Sequence, residues 1–494
     1  MRSVAALKVQ QGQGIMLQVF DIRRFFDKES IRDVMHSLNQ VGVNRKAYRT
    51  WFLLNQRTRI SVKTSMGVTE EGDVGEVVGQ GTIGGALVSQ LNVDRGLGEY
   101  FDGSNDEASY GSVRLQPIAF QDDILRLAED VQSAKVGNLK LSFLMEDKQL
   151  ECHPDKTGFV VMGSSKYKEE VRRQVADELI MFGSFETKEK TVDKYLGDMF
   201  SSEGLGDSIM KTIQDRAGKV KIAMMEVQGV MEDFRMQAVG GIMGAWDLWN
   251  SAILPSLLSN CSTWTELPTK AVDFCEELQN LFIRIILQVP VSTPKVALRV
   301  ETGMLGIKQR IWIEKINLAL FIKQSGKSSL AGRIYREQLD QGWPGLAREV
   351  EEICSTIKIQ NVNDVDVPKS VIVDAINKHH AEEARELMGK KLKEMKSEDI
   401  GRTRDYMKTK CIADCRLKFR IRTNMVELKG NMKGSYRDSD FSCLGCGDKS
   451  TVEDQSHVIR CPAYHELREG LDFEKDEDLV KYFREVMIIR MKMK

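Results

Sequence analysis

Three carboxylates and four soft ligands are the residues of this chain whose spacing could do chemistry. Asp122 and Asp123 stand side by side in SVRLQPIAFQDDILRL, residues 112–127, with Val113, Leu115, Ile118 and Phe120 leading in and Ile124, Leu125 and Leu127 leading out. Apolar, strand-like flanks predict a hairpin with both acids at its tip. Neighbouring like charges raise the cost of ionising both, and a bound Mg²⁺ relieves it; without an ion the pair is an ordinary surface turn. A third acid, Asp21, ends the apolar run Ile15–Phe20, which reads as a short buried strand. Further on, Cys443, Cys446, His457 and Cys461 form C-x2-C-x10-H-x3-C. A cysteine pair closing one tight turn and a His/Cys pair on the next helical turn can converge on one tetrahedral Zn²⁺. His465 lies outside that spacing.

The elements that must carry these residues show in the apolar periodicity. From about Lys28, Ile31, Val34, Met35 and Leu38 recur at helical steps, with Asp27 as the expected N-cap and Gly42 placed to end the helix. A second helix is expected over Arg45–Leu54 and an alternating strand over Thr58–Thr64. Gly79, Gly81, Gly84 and Gly85 then precede a helix expected from about Ala86 to near Gly96. Such a loop lets backbone approach a phosphate or a base pair, and Gln80 offers an amide there. It lacks the lysine and spacing of a P-loop and does not follow the dinucleotide pattern, so both are excluded.

Composition sets the outer limits. The chain's 494 residues suggest about three domains. Its 71 basic and 72 acidic side chains leave a net charge of -1, so any surface for nucleic acid must be local. Nine cysteines, an odd count, and no secretory signal point to reduced thiols and an intracellular setting, nucleus or cytoplasm. The apolar run Ile311–Ile322 is broken by Glu314, Lys315 and Asn317, well short of the roughly 20 residues of a membrane span. No membrane partner is expected.

Taken in order, an acid ending a strand, a Gln-Gly loop before a helix and an Asp-Asp hairpin resemble the palm of reverse transcriptases, in particular those of non-LTR retrotransposons. LQVFDIRRFFD looks like motif A, GQGTIGGALVSQ like motif B and AFQDD like motif C. LKLSFLMEDKQLECHPDKTGFVVMG looks like motif D, with its lysine at Lys156, and KYLGDMF resembles motif E, the primer grip, around Tyr195, Leu196 and Gly197. HVIRCPAYHELR resembles the Cys/His module at the carboxyl end of these enzymes.

The resemblance implies an RNA-directed DNA polymerase, a nucleotidyltransferase that extends a DNA primer on an RNA template with deoxynucleoside triphosphates. Phosphodiester formation needs an activated 3′-hydroxyl and a neutralised pyrophosphate held in line, which two Mg²⁺ ions accomplish. Asp21 and Asp122 are implied to bridge both ions, Asp123 to complete the site, and Lys156 to act near the pyrophosphate as cation or proton donor. Phe26 matches the position of a ring that rejects ribonucleotides at the sugar 2′-position, and Gln80 and Gly81 would line the nascent base pair. The family's basic fingers lie ahead of motif A, where this sequence has only the residues up to Phe20 and the cations Arg2 and Lys8. The expectation is therefore an amino-terminally truncated chain, with little polymerase activity alone and weak, salt-dependent binding of template and primer.

The expected fold is α+β: an antiparallel palm sheet with helices over 1–200, a helical thumb and post-thumb segment over 201–324, a linker and helical basic connector over 325–437, a zinc module over 438–475 and a tail over 476–494. Between Arg385 and Arg437, sixteen Lys or Arg face seven Asp or Glu. Arg416, Lys418, Arg420 and Arg422 alternate with apolar residues as on a strand whose outer face could neutralise phosphates. The rival reading is a non-catalytic nucleic-acid-binding remnant of such an element. An intron-type or telomerase-like polymerase is disfavoured by the Cys/His module.

Overall fold

The strand Gly14–Asp21 (β1) is buried at every position from Gly14 to Phe20, as a strand covered on both faces must be. In the computed structural model, which describes all residues except 56–57, 75–77, 79–83, 104–105, 233–240, 327, 392–402, 409–410, 432–439 and 494, β1 is the middle of a five-stranded sheet. Its companions are Ile118–Phe120 (β2), Asp123–Ala128 (β3), Gly158–Gly163 (β4) and Lys188–Glu189 (β5), in the order β5-β4-β1-β3-β2. β1 runs antiparallel to both β3 and β4, with Phe20 opposite Ile124 and Asp21 opposite Asp123. The molecule is mixed α+β, mostly helical with this small sheet, and forms two compact units: residues 1–212, 263–268 and 318–351, and residues 213–262, 269–317 and 352–494.

Alternation along the strands divides the first unit's core. Ile15, Leu17 and Val19 join Leu125, Leu127, Val160 and Met162 beneath the helix Arg2–Gln10 (α1). Arg2 and Lys8 are spent in this contact: Lys8 is buried against Glu129 at 2.9 Å and Arg2 against Asp198 at 3.5 Å. On the opposite face Met16 packs with Phe159 and Val161, and Phe20 with Ile124. One polar chain crosses this apolar face. Arg126 donates to Gln18 Oε1 at 2.8 Å and lies 3.4 Å from Glu107, and Gln18 donates to Asn138 at 2.8 Å, all four side chains being buried. Room for the guanidinium exists because residue 137 is glycine: an added Cβ would collide with Arg126.

The helix Ile31–Gln40 (α2) is capped by Ser30, which accepts Arg32 N–H, and not by Asp27, which lies in the single turn Phe25–Lys28. Gly42, at φ 75°, follows its end as expected. α2 packs with Val78 and Val88, and the partly buried Phe26, Tyr48, Trp51 and Phe52 close this core. The helices Arg45–Asn55 (α3) and Gly85–Phe101 (α4) stand where sequence puts them, α4 running five residues further than expected. The expected strand over 58–64 is two short pieces, Thr58–Ile60 and Lys63–Thr64. Val113 is not part of the Asp-Asp hairpin; it pairs with Tyr110 in a separate small one, and β2 alone leads in. The first part of the expected linker and connector, residues 325–351, belongs to this unit. Ser112 N–H donates to Glu337 at 3.2 Å, and Tyr110 meets Trp343 edge-on at 5.3 Å.

The second unit is helical. Trp249 stacks on Phe282 at 4.7 Å and donates to Gln279. Arg416, Lys418, Arg420 and Arg422 lie on a helix, Ile412–Arg422, and not on a strand, and each has an internal partner. Arg416 donates to Ile286 O, Lys418 meets Asp476 at 2.8 Å, Arg420 meets Glu427 at 3.0 Å, and Arg422 meets Glu301 at 2.8 Å. Glu301 is fully buried and also accepts the Tyr406 hydroxyl at 2.7 Å. The residues after 476, expected as a tail, form the helix Asp476–Met493, whose Val480, Tyr482, Phe483 and Val486 share one core with Cys443, Val458 and Cys461. Among the described residues no helix is long and apolar enough to cross a membrane.

Candidate active site and metal centre

β1 delivers Asp21 and β3 delivers Asp123 at opposed positions of one antiparallel ladder. Like charges set opposite each other destabilise a sheet, so the arrangement asks for a cation. Asp122 belongs to the turn, and its carbonyl accepts Ile22 N–H at 3.0 Å, closing the hairpin onto the end of β1. The turn depends on Gln121 at φ 57°, a left-handed conformation that costs a non-glycine residue. Gln90 of α4 holds it there: its Oε1 accepts Gln121 N–H at 2.6 Å and its Nε2 donates to Ala119 O at 3.0 Å. Sequence reading passed over Gln90, although it closes the string read as motif B.

Burial first, and then the charges of Asp122 and Asp21, hold the Asp123 carboxyl above its ordinary range. The charge of Asp193 adds to the same effect, and Asp193 is itself raised by burial. This fourth acid was also missed. Lys156 partly offsets the cluster, with Nζ 3.2 and 3.0 Å from the two oxygens of Asp21. Its own pKa is raised, chiefly by that hydrogen bond. The loop that carries it is tied to β1: His153 N–H donates to Asp21 O at 2.8 Å, and Ile22 bridges to Cys152.

Next to the acids stands the hairpin of Val192–Tyr195 (β6) and Asp198–Ser201 (β7). Leu196 and Gly197 form its two-residue turn, both at positive φ, 47° and 83°, as a type I′ turn requires. Tyr195 is buried, its hydroxyl pushed up to about 12 by burial and then by the charge of Asp123. Phe26 lies half-buried, its ring 5.2 Å from that of Phe25. The structure thus brings together Asp21, Asp122, Asp123 and Lys156, and places the Tyr195–Gly197 turn on the hairpin whose Asp193 and Tyr195 feel or add to the same charge. Gln80 and Gly81 lie outside the described residues. An oxygen-only donor set with one carboxyl destabilised by its neighbours is the chemistry that Mg²⁺ fits.

In the second unit the ligand atoms of Cys443, Cys446, His457 and Cys461 all lie within 4.8 Å of one another. Cys443 Sγ is 3.7 Å from Cys461 Sγ and Cys446 Sγ is 3.5 Å from His457 Nε2, close to the roughly 3.8 Å between vertices of a tetrahedral thiolate site. The group can bind zinc. Asp454 caps the helix Gln455–Arg460 and accepts His457 N–H at 2.8 Å. Glu453, fully buried, accepts Leu444 N–H between the first two cysteines at 2.9 Å and is paired with Arg490 of the terminal helix. Gly445 is required beneath Tyr464, where a Cβ would lie 2.7 Å from Cζ.

No family model matches the chain, and no curated protein matches it. Among solved structures, telomerase from Candida albicans in complex with the TWJ fragment of telomeric RNA is similar at 12% identity, over 58% of this chain and 50% of that one, with a TM-score of 0.35. The chain spans half the length of that structure. A likeness at that score carries no weight for what this chain does.

Proposed function

We propose that the chain is an RNA-directed DNA polymerase of the non-LTR retrotransposon type, built as a palm over 1–200, a helical thumb and post-thumb segment over 201–324, a basic connector over 325–437 and a zinc module beyond it. The observation that carries the reading is the opposition of Asp21 and Asp123 across one ladder, with Asp122 in the adjoining turn. When bound there, two Mg²⁺ ions would supply activation of the primer 3′-hydroxyl and neutralisation of the pyrophosphate. Asp21 and Asp122 would hold both ions and Asp123 one of them. Lys156 would move from Asp21 to the leaving group as a cation or proton donor. Phe26 would exclude the ribonucleotide 2′-hydroxyl, Gln80 and Gly81 would line the base pair, and the Tyr195–Gly197 turn would support the primer. The zinc ion would be structural. RNA template, DNA primer and deoxynucleoside triphosphates are the partners, met in the nucleus or the cytoplasm.

The rival, a nucleic-acid-binding protein that does not polymerise, is favoured by the Lys156 ammonium on the oxygens of Asp21. Primer extension on an RNA template with Mg²⁺ separates the two. Asp122→Asn is expected to lower incorporation at least about a hundredfold with the circular dichroism unchanged. Equal, measurable incorporation by both proteins would exclude the polymerase reading.

A further inference from the structure

We propose that Lys190 is a positioning residue for Lys156, anchoring by its main chain the loop from which that ammonium reaches Asp21; this rests on the polymerase reading above. Lys190 immediately follows β5 and is fixed at three levels. Its N–H donates to Phe159 O at 2.8 Å, extending the pairing of β5 with β4. Its stem lies against Gly158, where an added Cβ would stand 2.7 Å from Lys190 Cε. Its ammonium donates both to the carbonyl of Lys156 and to Asp193 Oδ2, the latter at 3.0 Å. The other oxygen of Asp193 accepts Lys194 N–H at 3.0 Å, so the carboxylate is held on both sides.

At the start of the loop His153 N–H is held by Asp21 O, but the two main-chain donors at Lys156 itself and the next residue make short-range bonds: Lys156 N–H and Thr157 N–H both end on His153 O, at 3.2 and 2.9 Å. The bond from Lys190 is charge-assisted, the stronger kind, and comes from 34 residues away. A cation that must meet a leaving group is placed no better than the backbone that carries it, and small misplacements are costly in rate. Because Asp193 belongs to β6, the same ammonium joins the Lys156 loop to the hairpin that ends at Leu196 and Gly197. The two parts of the site that would face leaving group and primer share one anchor.

Amide hydrogen exchange of the full chain reads the loop directly. Lys190→Ala is expected to speed exchange at Lys156 and Thr157 about tenfold, with β1 unchanged and Lys190→Arg restoring protection. Unchanged exchange at these two amides would overturn the proposal. Mn²⁺ binding, followed by its electron paramagnetic resonance signal, then asks whether the effect passes through Lys156. Each protein in this series also carries Asp193→Asn, which removes the carboxylate that Lys190→Ala would leave unpaired. Lys156→Ala should tighten Mn²⁺ several-fold, because no ammonium competes for Asp21. Lys190→Ala should do so partially, and add nothing once Lys156 is gone. An equal effect of Lys190→Ala with and without Lys156 would refute the positioning role. Failure of the unmodified chain to bind Mn²⁺ in a manner lost in Asp122→Asn would sink the polymerase reading itself, and this proposal with it, whatever the exchange shows.

Discussion

Asp21 and Asp123 face each other across β1 and β3, two like charges on opposed residues of a single ladder. The Asp123 carboxyl is raised by burial first and by Asp122 and Asp21 next. A carboxyl raised on folding contributes stability that is fully present below its unfolded value, about 3.9, and is lost as pH rises through the folded value. Asp123→Asn should therefore raise the melting temperature of the metal-free protein at pH 7 and gain nothing near pH 3. Mg²⁺ should stabilise the unmodified protein more than the variant, which keeps Asp21 and Asp122 but has lost one ligand. A melting temperature lowered by the substitution at pH 7 would contradict the electrostatic account.

Phe26 touches Phe25 and lies against two apolar clusters, so its ring has packing to lose as well as any role at the nucleotide. Phe26→Val is expected to cost about 1–2 kcal/mol in stability, less than truncating a fully buried ring. As a gate, the same change should raise ribonucleotide incorporation relative to deoxyribonucleotide. A lowered stability with an unchanged ratio would leave Phe26 a core residue only.

Zinc should copurify with the chain at one equivalent per molecule. His457→Ala should unfold the terminal module while the first unit keeps its melting transition, since metal binding and folding are linked in small sites. Arg490→Ala acts one step further out, freeing Glu453 and with it the Leu444 N–H between the first two cysteines. It should weaken zinc by about 10–100-fold, the usual loss when an outer-shell partner goes. A metal-free but fully folded module would dispose of both expectations.

The four cations of Ile412–Arg422 already have partners inside the protein. Lys418→Gln together with Arg420→Gln should leave the salt dependence of RNA binding unchanged; a phosphate contact at each would lower the slope by about 0.7–0.9 per residue. Glu301→Gln should instead destabilise the second unit by about 3–5 kcal/mol, because Arg422 would lose the buried carboxylate it pairs with. A parallel fall in slope and no change in stability would restore these residues to the nucleic-acid surface.

The readable parts of this chain were those whose pattern is local. The apolar run ending at Asp21, the hairpin around the two acids, Gly42 after its helix and the cysteine spacing all declare themselves within a few residues, although only Asp122 is in the turn and Asp123, expected beside it at the tip, opens the strand β3. The helix Ile412–Arg422 was misread because RLKFRIR alternates at a period of two, while its buried face, Ile412, Cys415 and Phe419, follows a period between three and four. Val113 was assigned to the wrong hairpin because strands of two residues are too short to show any period. Gln90, Lys190 and Asp193 escaped for another reason. Each matters through a group it meets in the folded chain, at Gln121, at the Lys156 carbonyl and beside Asp123, and nothing in their own neighbourhoods announces it.

Gly137 yields to Arg126, and that accommodation reaches beyond this one molecule. Gly137 lies inside the helix Val131–Asp147, where glycine is about 1 kcal/mol worse than alanine, so it persists only where something occupies the space a methyl would take. Among descendants of the same ancestor the two positions should therefore change together: once residue 126 becomes aliphatic, residue 137 is released to alanine. Such a linked pair would keep the register of the helix Val131–Asp147 over the sheet traceable in lineages that have lost Asp21, Asp122 or Asp123.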